Sequence, residues 1–188
     1  MVPLTDLWLA ILLSGVAVFL VSSGLHMIVP IHAKDHEKLP AEEGLLEAMR
    51  KGGLEPGNYM FPCPASMKDM TTPEMQEKYA QGPVGFMMIF PNGMPAIGKS
   101  LVQWFVLSLV VSTLVAYTTG LGHGAGAEGV VVFRHAAVVA FGIYGISSLV
   151  DPIWKGVKWS TGFKFVFDGL LYGLATGGVF AWLWPAAA

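Results

Sequence analysis

The sequence predicts an all-α integral membrane protein of four transmembrane helices, with an ordered extramembrane loop domain between helices 1 and 2. Three observations predict it. Only 13% of the 188 residues are Asp, Glu, Lys or Arg and 54% are apolar, against about 25% charged in an average soluble domain. The chain then falls into four long stretches almost free of charge, each near the ~20 residues a helix needs to cross hydrocarbon. Finally, with four spans, Trp8, Tyr117, Trp182 and Trp184 fall at one interface and Trp104, Trp154 and Trp159 at the other, as expected of aromatic belts.

The first span covers about 7–31, bounded by Asp6 and Lys34. Residues 1–6 hold no Lys or Arg and the apolar run is too long for a signal-peptide core, so this segment is expected to be retained as a helix. Between the first two spans lies a loop of about 32–99 with 16 of the 24 charged residues, the one part of soluble character. Within it, 41–51 predicts a short amphipathic helix, with Glu42 and Glu43 in its first turn, Arg50 and Lys51 at its end, and Gly52-Gly53 stopping it. Thr72-Pro73-Glu74 opens a second short helix, Thr72 as cap and Pro73 at the first position. The apolar stretch 82–98, interrupted by Pro83, Pro91-Asn92-Gly93 and Pro95, predicts a hairpin around the Pro-Asn-Gly turn or a re-entrant segment.

The remaining spans are expected at about 101–119, 129–150 and 162–184. Lys155 and Lys158 between spans three and four, with Lys164 just inside, orient the chain in a cytoplasmic (inner) membrane with both termini outside the cytoplasm and loops 32–99 and 151–161 within it. The net charge of -2 offers no basic footprint, so no nucleic-acid partner is expected. The single Cys63 rules out an internal disulfide and a Cys-rich zinc site.

Ionisable residues inside spans are costly and mark candidate sites. Three stand out: Arg134, Lys164 and Asp168. By depth, Asp168 is matched with Lys164, Lys99 and His26, and Arg134 with Asp6, Glu128, His123 and His135. Local ion pairing or snorkelling is the bland reading of both groups; a proton path, or Arg134 as anchor for an anionic ligand, is the functional one. His32 and His36 stand one helical turn apart near His26, Asp35 and Glu37, at metal-ligand spacing, although Pro30 interrupts the helix. A bis-histidine haem is disfavoured because His123 and His135 lie at the opposite face. Met60, Cys63, Met67 and Met70 form a soft-ligand group suited to Cu(I), or simple packing under an irregular loop. No catalytic set, metal set or cofactor is predicted.

Gly169, Gly173 and Gly177 recur every four residues in the last span, and Ser108, Ser112, Ala116 and Gly120 in the second. Small residues at this spacing allow close helix packing in lipid, or open a cleft for a lipid tail or quinone. The expected function is an accessory or scaffolding subunit, with the lipid bilayer and a membrane-protein partner or a second copy as its contacts. The alternative is a small carrier or lipid- or quinone-binding protein using Arg134 or Asp168, and after it a metal-dependent membrane enzyme. The expectation leans away from an enzyme.

The segments SSGLHMIVPIH, GPVGF, GKSLVQWF, DPIWKGVKW and FDGLLYGLATGGVFAWLWP resemble small bacterial four-span membrane proteins of unknown function. The resemblance covers nearly the whole chain and implies a topology without an activity.

Overall fold

In a computed structural model, described over residues 1–187, the chain is mostly helical. Its elements in order are α1 (Trp8–Met27), α2 (Glu42–Lys51), β1 (Gly57–Phe61), α3 (Pro73–Gln81), β2 (Gly85–Ile89), α4 (Ile97–Gly122), α5 (Gly129–Tyr144), α6 (Val150–Trp154) and α7 (Trp159–Trp182). Four helical stretches are long and apolar enough to cross a membrane: Leu4–Met27, Ile97–Gly122, Gly129–Trp154 and Trp159–Trp182. The chain divides into two compact units. One comprises Met1–Asp35, Ala96–Pro152 and the segment beginning at Val157, and the other comprises His36–Pro95 with Ile153–Gly156.

In the smaller unit, α3 starts where Thr72-Pro73 predicts, and the Thr72 hydroxyl accepts from the Met75 amide at 3.4 Å. The stretch 82–98 differs from expectation. Its arm Gly85–Ile89 pairs antiparallel with Gly57–Phe61, Gly57 opposite Ile89 and Phe61 opposite Gly85, rather than folding back on itself at Pro91-Asn92-Gly93. The all-α reading therefore gains a small two-stranded sheet. The physical reason lies in the second arm: Pro91 and Pro95 bracket it, and proline cannot donate to a ladder, whereas residues 57–61 offer an unbroken five-residue partner.

The helical unit is built on close backbone approach. A Cβ on Gly173 would lie 2.8 Å from the Ala137 carbonyl oxygen, one on Gly177 would lie 2.8 Å from that of Phe133, and one on Gly169 would overlap the backbone of Gly145. The glycine face of α7 thus meets α5 of the same chain, which small residues permit and a side chain would prevent. Ser108, Ser112 and Ala116 on α4 are buried within the same unit. One turn beyond Ala116, Gly120 receives the N-terminal segment, whose Val2 amide donates to the Gly120 carbonyl at 2.9 Å.

Two local breaks interrupt the helices of this unit. Val29 is extended, as the residue before Pro30 must be, and Pro30–His32 forms one 3-10 turn that reverses the chain beneath the end of α1. The third apolar stretch is interrupted between Tyr144 and Val150. Pro152 lacks the amide that would bond to the Ser148 carbonyl in a continuous helix, and at the break the carbonyls of Ile143 and Gly145 accept from the Ser147 and Ser148 hydroxyls.

Candidate functional site

The end of α1, the Pro30–His32 turn and the first turns of α7 bring together residues far apart in the sequence. His26 closes α1, His32 closes the turn, and Lys164 and Asp168 stand one helical turn apart on α7. Asp168 is 1% exposed, although it is a carboxylate within an apolar helix. A carboxylate so placed needs compensation. His32 supplies it, Nε2 lying 2.8 Å from Asp168 Oδ2, and His26 Nε2 lies 3.8 Å from the same oxygen.

A second layer holds the first. His32 Nδ1 is 2.6 Å from Asp35 Oδ2, and Asp35 Oδ1 accepts from Lys164 and from Thr161 at 3.4 Å. Burial alone would raise the Asp35 carboxyl. The hydrogen bonds from Lys164 and His32, with the Lys164 charge, outweigh that and hold it below the ordinary carboxylate range. His26 is fixed differently: its Nδ1 lies 3.0 Å from the Ser22 carbonyl, and its ring stacks on His32 at 4.4 Å and 6°.

One partner is missing. Among the described residues, Asp168 Oδ1 is buried and has no hydrogen-bond partner. Asp168 also lines a cavity of about 530 Å³ bounded by α1, α4, α7 and the break after α5. His26, Asp168 and several serines, Ser22, Ser100 and Ser148 among them, contribute polar groups to an otherwise mainly apolar lining that includes Leu101 and Ile143. Trp104 forms part of the wall, its indole N–H donating to Ser22 Oγ at 2.7 Å, and it packs against Tyr144 and Tyr172 at ring separations of 5.9 and 6.0 Å. Leu101 and Leu107 are 40% and 48% exposed, so the cavity is open along an apolar rim. A concave, mostly apolar pocket of this size with a few convergent polar groups is the usual form of a small-molecule site.

The depth-matched residues part company. His26 does approach Asp168, whereas Lys164 turns to Asp35 and Lys99 is exposed. Arg134 is exposed and forms no hydrogen bond or ion pair among the described residues; beside it, His123 Nε2 and His135 Nδ1 are 3.0 Å apart. His36 is exposed and stands outside the His26, His32, Asp168 group. Cys63 is exposed and Met67 is 80% exposed, which leaves no buried soft-ligand group.

Sequence reasoning overlooked Asp35 as the support of His32, and Ser22, Trp104, Tyr144 and Tyr172 as cavity residues. Asp35 carried a usable signal: it follows the first span closely, and a basic residue placed inside a span, such as Lys164, calls for a carboxylate. The aromatic residues carried none, since tryptophan and tyrosine near span ends read equally as interface anchors. No protein-family model, curated protein or solved structure matches this chain.

Proposed function

We propose that this chain is a multi-pass membrane protein that binds a lipid-like amphiphile, its tail in the cavity between α1, α4 and α7 and its head at Asp168. One observation carries the reading: Asp168, which lines a mainly apolar cavity, is a buried carboxylate with an unpartnered oxygen. Such an oxygen accepts, so the complementary head donates, as the hydroxyl of a quinol or of a hydroxylated lipid does. The exposed rim at Leu101 and Leu107 would admit the tail sideways from the acyl chains. Lys34, Lys99, Lys155 and Lys158 flank this end of the helices and support a cytoplasmic-side location with both termini on the other side of an inner membrane.

Small-residue faces are the basis for the accessory-subunit reading. Gly169, Gly173 and Gly177 are already covered by α5, so they lend docking of a larger complex no support, and the cavity is the better-supported feature. Fluorescence of the purified protein tests the proposal, because Trp104 lines the cavity. A long-chain alcohol brominated in its tail should quench saturably, and Trp104→Phe should remove most of the effect. A hydrogen bond to a charged group contributes about 1.5–3 kcal/mol, so Asp168→Asn should weaken binding roughly tenfold or more. The brominated alkane without the hydroxyl should bind wild-type protein correspondingly less well. Quenching that never saturates, or that ignores the hydroxyl, overturns the proposal.

A further inference from the structure

Proton bookkeeping at the Asp168 end shows a site built for something more than a head group. The Ser22 carbonyl can only accept, so His26 Nδ1 carries the hydrogen in their 3.0 Å contact. Asp35 already accepts from Lys164 and Thr161 and faces His32 Nδ1 at 2.6 Å, so that nitrogen also carries the hydrogen. Both imidazoles, when neutral, are thereby fixed in the tautomer that presents the Nε2 lone pair to Asp168. Three electron-pair donors, His26 Nε2, His32 Nε2 and Asp168 Oδ2, then converge within 4.8 Å of one another. The 2.8 Å between His32 Nε2 and Asp168 Oδ2 requires either a proton or a metal ion between two electron pairs.

We propose that His26, His32 and Asp168 form a binding site for one divalent first-row transition metal. Each feature has its counterpart in established metal chemistry. Two imidazoles and one carboxylate on one side of an ion leave coordination positions open, as in zinc hydrolase and non-haem iron sites. Ligand atoms about 2.0–2.2 Å from a common ion stand about 3–3.5 Å apart, and the separations to Asp168 Oδ2 are 2.8 and 3.8 Å. Ligating histidines characteristically donate their other N–H to a carboxylate or a backbone carbonyl; His32 does the first and His26 the second. Two of the three, His26 and Asp168, also line the cavity.

Loading requires one movement. With the rings stacked at 6°, the two Nε2 lone pairs lie in nearly parallel planes, so one ring must tilt before both can point at one ion. His32 is held at both nitrogens, whereas the His26 side chain is 42% exposed, so His26 is the ring that tilts to complete the site. The proposal goes beyond amphiphile binding and does not depend on it, because all three ligands come from the protein's own side chains.

Its test uses the full chain purified in detergent, stripped with chelator, reloaded with Zn2+ or Co2+ and desalted. Mass-spectrometric metal analysis should give one equivalent. The Co2+ form should show visible d–d bands of a low-coordinate nitrogen and oxygen site, without the thiolate charge-transfer band that Cys63 would produce. His32→Ala and Asp168→Asn should each lower affinity at least tenfold, and Asp35→Asn, acting through His32, by about 10- to 100-fold. His36→Ala and His123→Ala should match wild type. If a ligand variant fails to fold, the Co2+ spectrum of wild-type protein and the half-exposed His26→Ala still decide. Retention below a tenth of an equivalent by folded wild-type protein would mean that a proton alone bridges His32 and Asp168, and would overturn the proposal. So would stoichiometric metal indifferent to His26→Ala.

Discussion

Replacing Gly173 by alanine would put a Cβ 2.8 Å from the Ala137 carbonyl oxygen and 3.2 Å from the Phe141 amide nitrogen. Both are backbone atoms, which cannot swing aside, so α5 and α7 must separate by several tenths of an ångström. Overpacking of this kind costs about 1–3 kcal/mol, offset by the roughly 0.5–1 kcal/mol that alanine gains over glycine inside a helix. The net loss is therefore about 0–2.5 kcal/mol. Gly178, five residues on, supplies the control: a Cβ there meets nothing within 4 Å, so Gly178→Ala should be neutral or stabilising by up to about 1 kcal/mol. Reversible unfolding in mixed detergent and SDS micelles, followed by circular dichroism, should place the two variants on opposite sides of wild type or at least about 1 kcal/mol apart. Equal stability of the two would refute the packing assigned to this face. The same geometry separates stability from binding. Gly169 overlaps Gly145, at the break that brings Ser147 and Ser148 to the cavity wall, so Gly169→Ala should weaken amphiphile binding as well. Gly177→Ala, two turns farther along α7, should lower stability alone.

Other perturbations act nearer the site. Lys164→Met removes the cationic partner of an Asp35 side chain that is 5% exposed, leaving it His32 and Thr161; since Lys164 itself keeps partial contact with water, the loss in the unfolding assay should be about 1–3 kcal/mol. The double variant with Asp35→Asn should cost less than the sum of the two single changes, because they remove one interaction; strict additivity would mean that the pair does not couple. Ser22→Ala removes the acceptor of the Trp104 indole and should cost about 1–3 kcal/mol. Wild-type stability in that variant would show that the indole N–H finds another partner.

The helices were legible because hydrocarbon-length apolar runs and proline and glycine stops are local signals. Expected spans of 7–31, 101–119, 129–150 and 162–184 correspond to Leu4–Met27, Ile97–Gly122, Gly129–Trp154 and Trp159–Trp182. The first helix ends short of its apolar run, because residues 28–31 are apolar but Pro30 does not let the helix continue through them. The strand pair was not legible: β1 and β2 are separated by α3 and several turns, and a five-residue run does not announce a distant partner. At the site, depth along the spans brought His26 to Asp168, but not His32, which reaches it 136 residues away in sequence through a chain reversal. Spacing paired His32 with His36 as if on one helix, and the 3-10 turn at Pro30–His32 removes that helix.

Amphiphile binding at Asp168 is tested most directly by photo-crosslinking with a long-chain alcohol that carries a diazirine in its tail, followed by peptide mapping. Labels should fall on the cavity wall at Leu101, Leu107, Val111 or Ile143, be competed away by unlabelled alcohol, and diminish when an alkane probe lacks the hydroxyl. Labels spread over outward-facing positions such as Val138, Leu170 and Leu174, unaffected by competitor or hydroxyl, would contradict it.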